Sequence, residues 1–225
     1  MERSFRSFIQ DNPHALAISE NPESGEAVVH VNFGKFMPFT FALIVGDAVH
    51  NLRTALDHAN WELRGLDGGA QNRHTTLPVR DNRIDYEAAC NGIKTPIGDL
   101  PDFFKALEMF KGGSGDLIYA LHELNIIDKH MFLPTAGRSV VIPSSDLNVT
   151  TLSIGVQIRQ SGTISATPIE ADENTKLTLD ICFGDIEVFQ FKPIVPTLVH
   201  LADAVEQVIE RFEALVACRN GRFVS

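Results

Sequence analysis

One stretch constrains this chain more than any other: Gly46-Asp47-Ala48-Val49-His50-Asn51-Leu52-Arg53-Thr54-Ala55-Leu56-Asp57-His58-Ala59-Asn60-Trp61. At about 100° per residue, Val45, Ala48, Val49, Leu52, Ala55, Leu56, Ala59 and Leu63 fall on one broad apolar side of a helix. Asp47, His50, Asn51, Thr54, Asp57, His58 and Trp61 collect on the opposite side, with Arg53 flanking them beside Asp57. A solvated helix face ordinarily carries Lys and Glu, which are long, flexible and good helix formers. Short or rigid side chains hold hydrogen bonds in fixed geometry, so this face is expected to meet a partner.

The patterning around that helix predicts an α+β chain forming a single compact domain over 1–225. Leu16 and Ile18, the turn residues Asn21-Pro22-Glu23-Ser24-Gly25, and the alternating Ala27, Val29, Val31 and Phe33 read as an N-terminal β-hairpin within 1–36. A helical core follows over 37–135. Its long helix runs from about Pro38 to Leu63, with Gly65 as its C′ residue. A short helix lies near Tyr86–Asn91, and another opens at Pro101-Asp102 and stops at Gly112-Gly113-Ser114-Gly115. Asp116 caps a third, which runs to about Ile127 with Leu117, Leu121 and Leu124 as its core stripe. From Arg138 the period changes to two: Val140 and Ile142, then Leu152, Ile154, Val156 and Ile158, then Leu177, Leu179, Ile181 and Phe183. That pattern predicts a C-terminal antiparallel sheet within 136–194, and Leu198, Leu201, Val205, Val208, Phe212 and Leu215 then set a terminal helix within 195–225.

Charge and cysteine usage narrow the function. The formal charge is −10 over 225 residues, which argues against a broad phosphate-binding surface and leaves room for a small local site for RNA or one nucleotide. Three widely spaced cysteines, Cys90, Cys182 and Cys218, suit free thiols in a reducing cytoplasm. The residues from Met1 to Arg6 have no apolar run behind them, so no secretory signal is expected. The longest apolar run, from Phe36 to Gly46, contains Pro38 and is too short to span a bilayer.

A second polar cluster, Asn125-Ile126-Ile127-Asp128-Lys129-His130, sits where the 116–127 helix is expected to end, and a helix C-terminus favours Lys129 and His130 on structural grounds alone. Gly46-Asp47, His50-Asn51-Leu52-Arg53 and Ala55-Leu56-Asp57-His58, with Asn125 and Asp128-Lys129-His130 downstream, resemble a family of bacterial proteins of unassigned activity. Their shared patterns are GD-x-x-HNLR-x-ALDH and N-x-x-DKH; Met131 stands where that family often has an arginine. More distantly, Arg53 and His58 form R-x4-H, which is similar to the signature of HEPN domains. That resemblance implies a metal-independent ribonuclease or nucleotide-handling protein in which arginine and histidine meet across a homodimer. It would make His58 a general acid/base and Arg53 a stabiliser of charge in the transition state, with Asn51 and Asp57 orienting them and His50 a further catalytic candidate. Asp47, Asn125, Asp128, Lys129 and His130 would be binding residues, and a patch of Arg53, Lys129 and Arg138 would hold phosphate. Thr54 stands where HEPN motifs commonly have Asn, Asp or His, and the strands would be additions to a helical bundle.

Two other readings stay open. A metal-dependent hydrolase would use His50, Asp57, Asp128 and His130, yet the H-x3-H and E-x-x-H spacings that put two ligands on adjacent turns are missing, so neither metal nor other cofactor is expected. In a non-catalytic binding or structural protein, His50, Asp57, Asp128 and His130 would form a buried polar network pinning two helices, with Arg53 paired to Asp57. His122 beside Glu123 reads as a surface pair, His14, His30, His74 and His200 as isolated, and Trp61 as a helix–helix contact.

Overall fold

A computed structural model of the chain describes residues 15–20, 27–32, 39–66, 68–69, 71–72, 74–94, 99–130, 135–142, 156–157, 163–166, 176–183, 186–189 and 192–222. Side chains are described within 40–94, 99–129, 182–189 and 192–219. The elements in chain order are β1 (Ala15–Glu20), β2 (Ala27–Asn32), α1 (Phe39–Leu66), α2 (Arg83–Asn91), α3 (Leu100–Lys105), α4 (Asp116–His130), β3 (Thr135–Ile142), β4 (Val156–Gln157), β5 (Thr163–Ala166), β6 (Lys176–Phe183) and α5 (Ile194–Arg222). The chain divides into two compact units, 1–45 with 132–195 and 46–131 with 196–225.

The expected α+β class, with a C-terminal antiparallel sheet, is corrected. Among residues described with their side chains, nearly all regular structure is helical, and Cys182–Phe183 is the one short strand stretch. The strand backbones between 135 and 183 do not close into one C-terminal sheet either. Their order is β1-β2-β5 in one group and β4-β3-β6 in the other, so β5 joins the N-terminal hairpin. Period-two alternation decides which side chains share a strand face, but it carries no record of which strand is the neighbour. Within the first unit, β3 and β6 pair antiparallel from Thr135 opposite Phe183 to Ile142 opposite Lys176. The Phe183 ring lies 5.8 Å from that of Phe189.

The second unit is the helical one. From α1 it buries Val49, Leu56 and Leu63, from α4 Ile118, Leu121 and Leu124, and from α5 Leu201, Val205 and Phe212. Phe103 and Phe104 meet Phe212 at ring separations of 5.5 and 5.9 Å, the offset and edge-on arrangement aromatic quadrupoles prefer. The α2 helix starts at Arg83 because Asn82 caps it: its Oδ1 accepts from the Asp85 amide at 2.9 Å, and its side-chain amide donates to the Asp85 carboxylate at 2.8 Å. The α1 helix runs through Gly65, and Gly68 (φ 71°), rather than Gly65, takes the left-handed position after it.

The α3 helix stops at Lys105, well before the glycines expected to end it. Residues 106–115 instead wrap a tight loop around Glu108, itself in the left-handed region at φ 45°. Its carbonyl receives the amides of Phe110 and Gly115, and its carboxylate receives that of Ser114. A Cβ at Gly113 or Gly115 would run into the Glu108 or Leu107 carbonyl, which is why this loop needs glycine there.

Candidate functional site

The α4 helix runs to His130, three residues beyond its expected end, so Asp128 and Lys129 lie on its last turn and not after it. Helical spacing then puts Asp128, Asn125, Leu121 and Ile118 along one stripe, with His122 beside it. On α1 the buried stripe is Val49, Arg53, Leu56, Asn60 and Leu63. Sequence periodicity assigned Arg53 to the edge of the polar face; in the fold it is only 4% exposed and belongs to the core side.

The two stripes meet along a seam, with α1 ascending as α4 descends. At one end Gly46 faces Asp128 so closely that an added Cβ would lie 2.8 Å from the carboxyl carbon. Next, His50 Nδ1 stands 3.3 Å from Asn125 Oδ1, and Asn125 is buried. Further along, Arg53 Nε donates to His122 Nδ1 at 3.4 Å. The Arg53 guanidinium is also 2.7 Å from Asp57 Oδ1, through an Nη1 that makes no aligned hydrogen bond, so the contact is an ion pair and little more. Asp57 Oδ1 in turn accepts the Leu77 amide at 3.3 Å, which ties the 74–82 segment to α1.

Two groups on the seam have displaced pKa values. Burial, then the positive charges of Arg53, Lys129 and Arg80, push His122 down to about 4 against the pull of Asp57. Burial and the neighbouring Asp47 raise Asp128 above the ordinary aspartate range, partly offset by His50. His122 is therefore neutral near pH 7. Because its Nδ1 accepts from Arg53, the proton it carries is on Nε2.

The remaining expected site residues are spread around α1. Asp47, His50, Asn51 and His58 are exposed and Asp57 is half-buried. His58 makes no hydrogen bond or ion pair to another described residue. It lies five positions on from Arg53, which is about 140° around a helix. The two members of the R-x4-H pattern thus point to different surroundings, Arg53 into the seam and His58 to solvent. Lys129 is exposed; the side chains of His130 and Arg138, and with Arg138 the expected phosphate patch, lie outside the described residues. Among the described residues no group of three His, Cys, Asp or Glu is placed to hold a metal ion.

Two seam residues were missed from the sequence. His122 is half-buried and bonded to Arg53, not a surface partner of Glu123. The signal was its position three residues before Asn125, on the same side of one helix. Asn60, seven residues beyond Arg53 on the same stripe, is fully buried, with neither side-chain atom hydrogen-bonded. Trp61 is partly exposed, at 37%, and does not sit in a closed helix–helix contact.

No family model, curated protein or solved structure matches the chain. Among the described residues no helix is long and apolar enough to cross a membrane.

Proposed function

We propose that the protein is a non-catalytic binding protein in which the Arg/His/Asp/Asn constellation sets the register of α1 against α4. The observation that carries this reading is Arg53: nearly buried, it donates from Nε to His122 and is ion-paired with Asp57, both of its own fold. A guanidinium held in that way stabilises structure and is poorly placed to meet an incoming phosphate. On this reading the exposed side of α1, with Asp47, His50, Asn51, His58 and Trp61, is the surface left to bind a partner. Three free cysteines suit residence in the cytoplasm.

A second reading, a metal-independent ribonuclease or nucleotide-handling homodimer similar to HEPN proteins, is favoured by one observation: His50 and His58 are both solvent-accessible and so available for proton transfer. One experiment separates the two. Wild type, Arg53→Ala and His58→Ala are incubated with RNA and with nucleotides in EDTA, and their unfolding is followed in urea. The binding-protein reading expects no cleavage by any of them, with Arg53→Ala alone destabilised. Cleavage by wild type that both variants lose, with His58→Ala as stable as wild type, would establish the nuclease.

A further inference from the structure

The Arg53–His122 contact has a chemical condition attached. Arginine has only donors, so the bond exists only while His122 Nδ1 keeps a free lone pair. The charged groups near enough to act on this imidazole are Arg53 and Asp57 from α1, Arg80 from the segment before α2, and Lys129 from its own helix. Three are cations. The single carboxylate, Asp57, is already engaged by Arg53 and by the Leu77 amide.

We infer that His122 is a proton-operated latch between α1 and α4: neutral, it accepts from Arg53 and the helices stay joined there; doubly protonated, it can only donate, and the join opens. The proton adds to Nδ1, the atom that holds Arg53, so uptake of one proton and loss of the bond are a single event. The resulting imidazolium would share a half-buried space with the Arg53 guanidinium and one committed carboxylate, and it relieves that repulsion by moving outward to water. Acid then frees the end of the seam that holds Arg53 and Leu77, while the Gly46–Asp128 end carries no such requirement. The inference rests on the seam being structural, as proposed above.

The test uses the full chain, with histidine side-chain nitrogen resonances and backbone amide exchange followed from pH 7.5 to 3, in wild type and His122→Gln. Glutamine retains an acceptor for Arg53 and does not titrate. In wild type, His122 is expected as the Nε2–H tautomer at pH 7.5, protonating near pH 4. Protection of the α1 and α4 amides along the seam, corrected for intrinsic exchange, should fall about tenfold or more by pH 4.5. In His122→Gln that loss should be absent. Equal loss of protection in both proteins would overturn the latch, as would His122 protonating near its ordinary pKa with protection unchanged. If the glutamine variant does not fold, the wild-type titration decides alone, because the latch requires protonation of His122 and loss of protection to share one midpoint. Arg53→Ala at pH 7.5 tests the seam without a proton. If it unfolds with wild type, the structural reading itself fails; if it is destabilised while His122→Gln keeps the wild-type pH profile, only the latch fails.

Discussion

The two ends of the α1–α4 seam are built from the same kinds of residue and have opposite characters. At the Arg53 end the guanidinium is nearly buried, Asp57 is half-buried, and a histidine is held neutral. At the Gly46 end Asp47 and His50 are exposed, and Asp128 lies half-buried against a bare glycine. Both ends contain an aspartate and a histidine, so residue type does not separate them. Depth does. A charge at the deep end must keep its partners because water cannot replace them, whereas at the shallow end solvent supplies what a lost partner leaves.

That contrast fails if substitutions at the two ends cost the same. Arg53→Ala should be the most damaging, by about 2–3 kcal/mol in urea unfolding at pH 7.5, since it strands the His122 acceptor and the Asp57 carboxylate together. A cost below about 0.5 kcal/mol, the range of an ordinary surface change, would place Arg53 with the exposed residues.

Gly46→Ala is next, at about 1 kcal/mol destabilising. Alanine gains roughly 1 kcal/mol of helix propensity over glycine, so a net loss means that displacing the Asp128 carboxylate costs about twice that. The same change made in an Asp128→Ala background should be stabilising by about 1 kcal/mol, and that reversal of sign is the decisive measurement. An unchanged sign would separate Gly46 from Asp128.

The pH dependence comes third and divides the two ends by sign. His122 has a lowered folded pKa, so its neutral form stabilises the fold above its ordinary pKa of 6.5, and this contribution is lost as pH falls from there toward about 4. Asp128 has a raised folded pKa, so burying its ionised form is a penalty, present at neutral pH and relieved as pH falls through the carboxylate range. Asp128→Asn should therefore raise stability at pH 7 by a few tenths of a kcal/mol, an amount reduced by its access to solvent. Its advantage should vanish in acid, and a destabilised Asp128→Asn at pH 7 would reverse this assignment.

The smallest loss of stability belongs to His50→Ala. It removes one long hydrogen bond to Asn125 from an exposed ring, for about 0.5 kcal/mol in thermal or urea unfolding. A loss comparable to that of Arg53→Ala would show that the shallow end carries as much of the fold as the deep one.

Local patterning made the helices legible. The 3.6-residue stripes around Val49, Leu56 and Leu63, around Leu121 and Leu124, and around Leu201, Val205 and Phe212 are buried as periodicity requires, whereas Leu117, expected on the α4 stripe, is exposed in the first turn of that helix. Of the second polar motif, Asn125 accepts the hydrogen-bonding contact with His50 and Asp128 closes on Gly46, while the side chain of His130 lies outside the described residues. Helix ends were read less well. Glu108 accepts loop amides that no local rule anticipates, and α4 extends to His130, with Asp128 on its last turn against Gly46.

By itself, the sequence determined that helices would run over about 38–63, from 116 to about 127 and within 195–225, because periodicity and helix propensity act within a few turns of the chain. It also determined that α1 would carry an uncommon set of short polar side chains. Whether Arg53 lay in the core or in solvent was decided only by tertiary packing. On the helical wheel it sits at the boundary between faces, and the position of α4, more than sixty residues away in the chain, selects the side. The pairing of β5 with β2 was likewise a tertiary decision, since alternation constrains a strand's two faces and leaves its edges free to choose a neighbour.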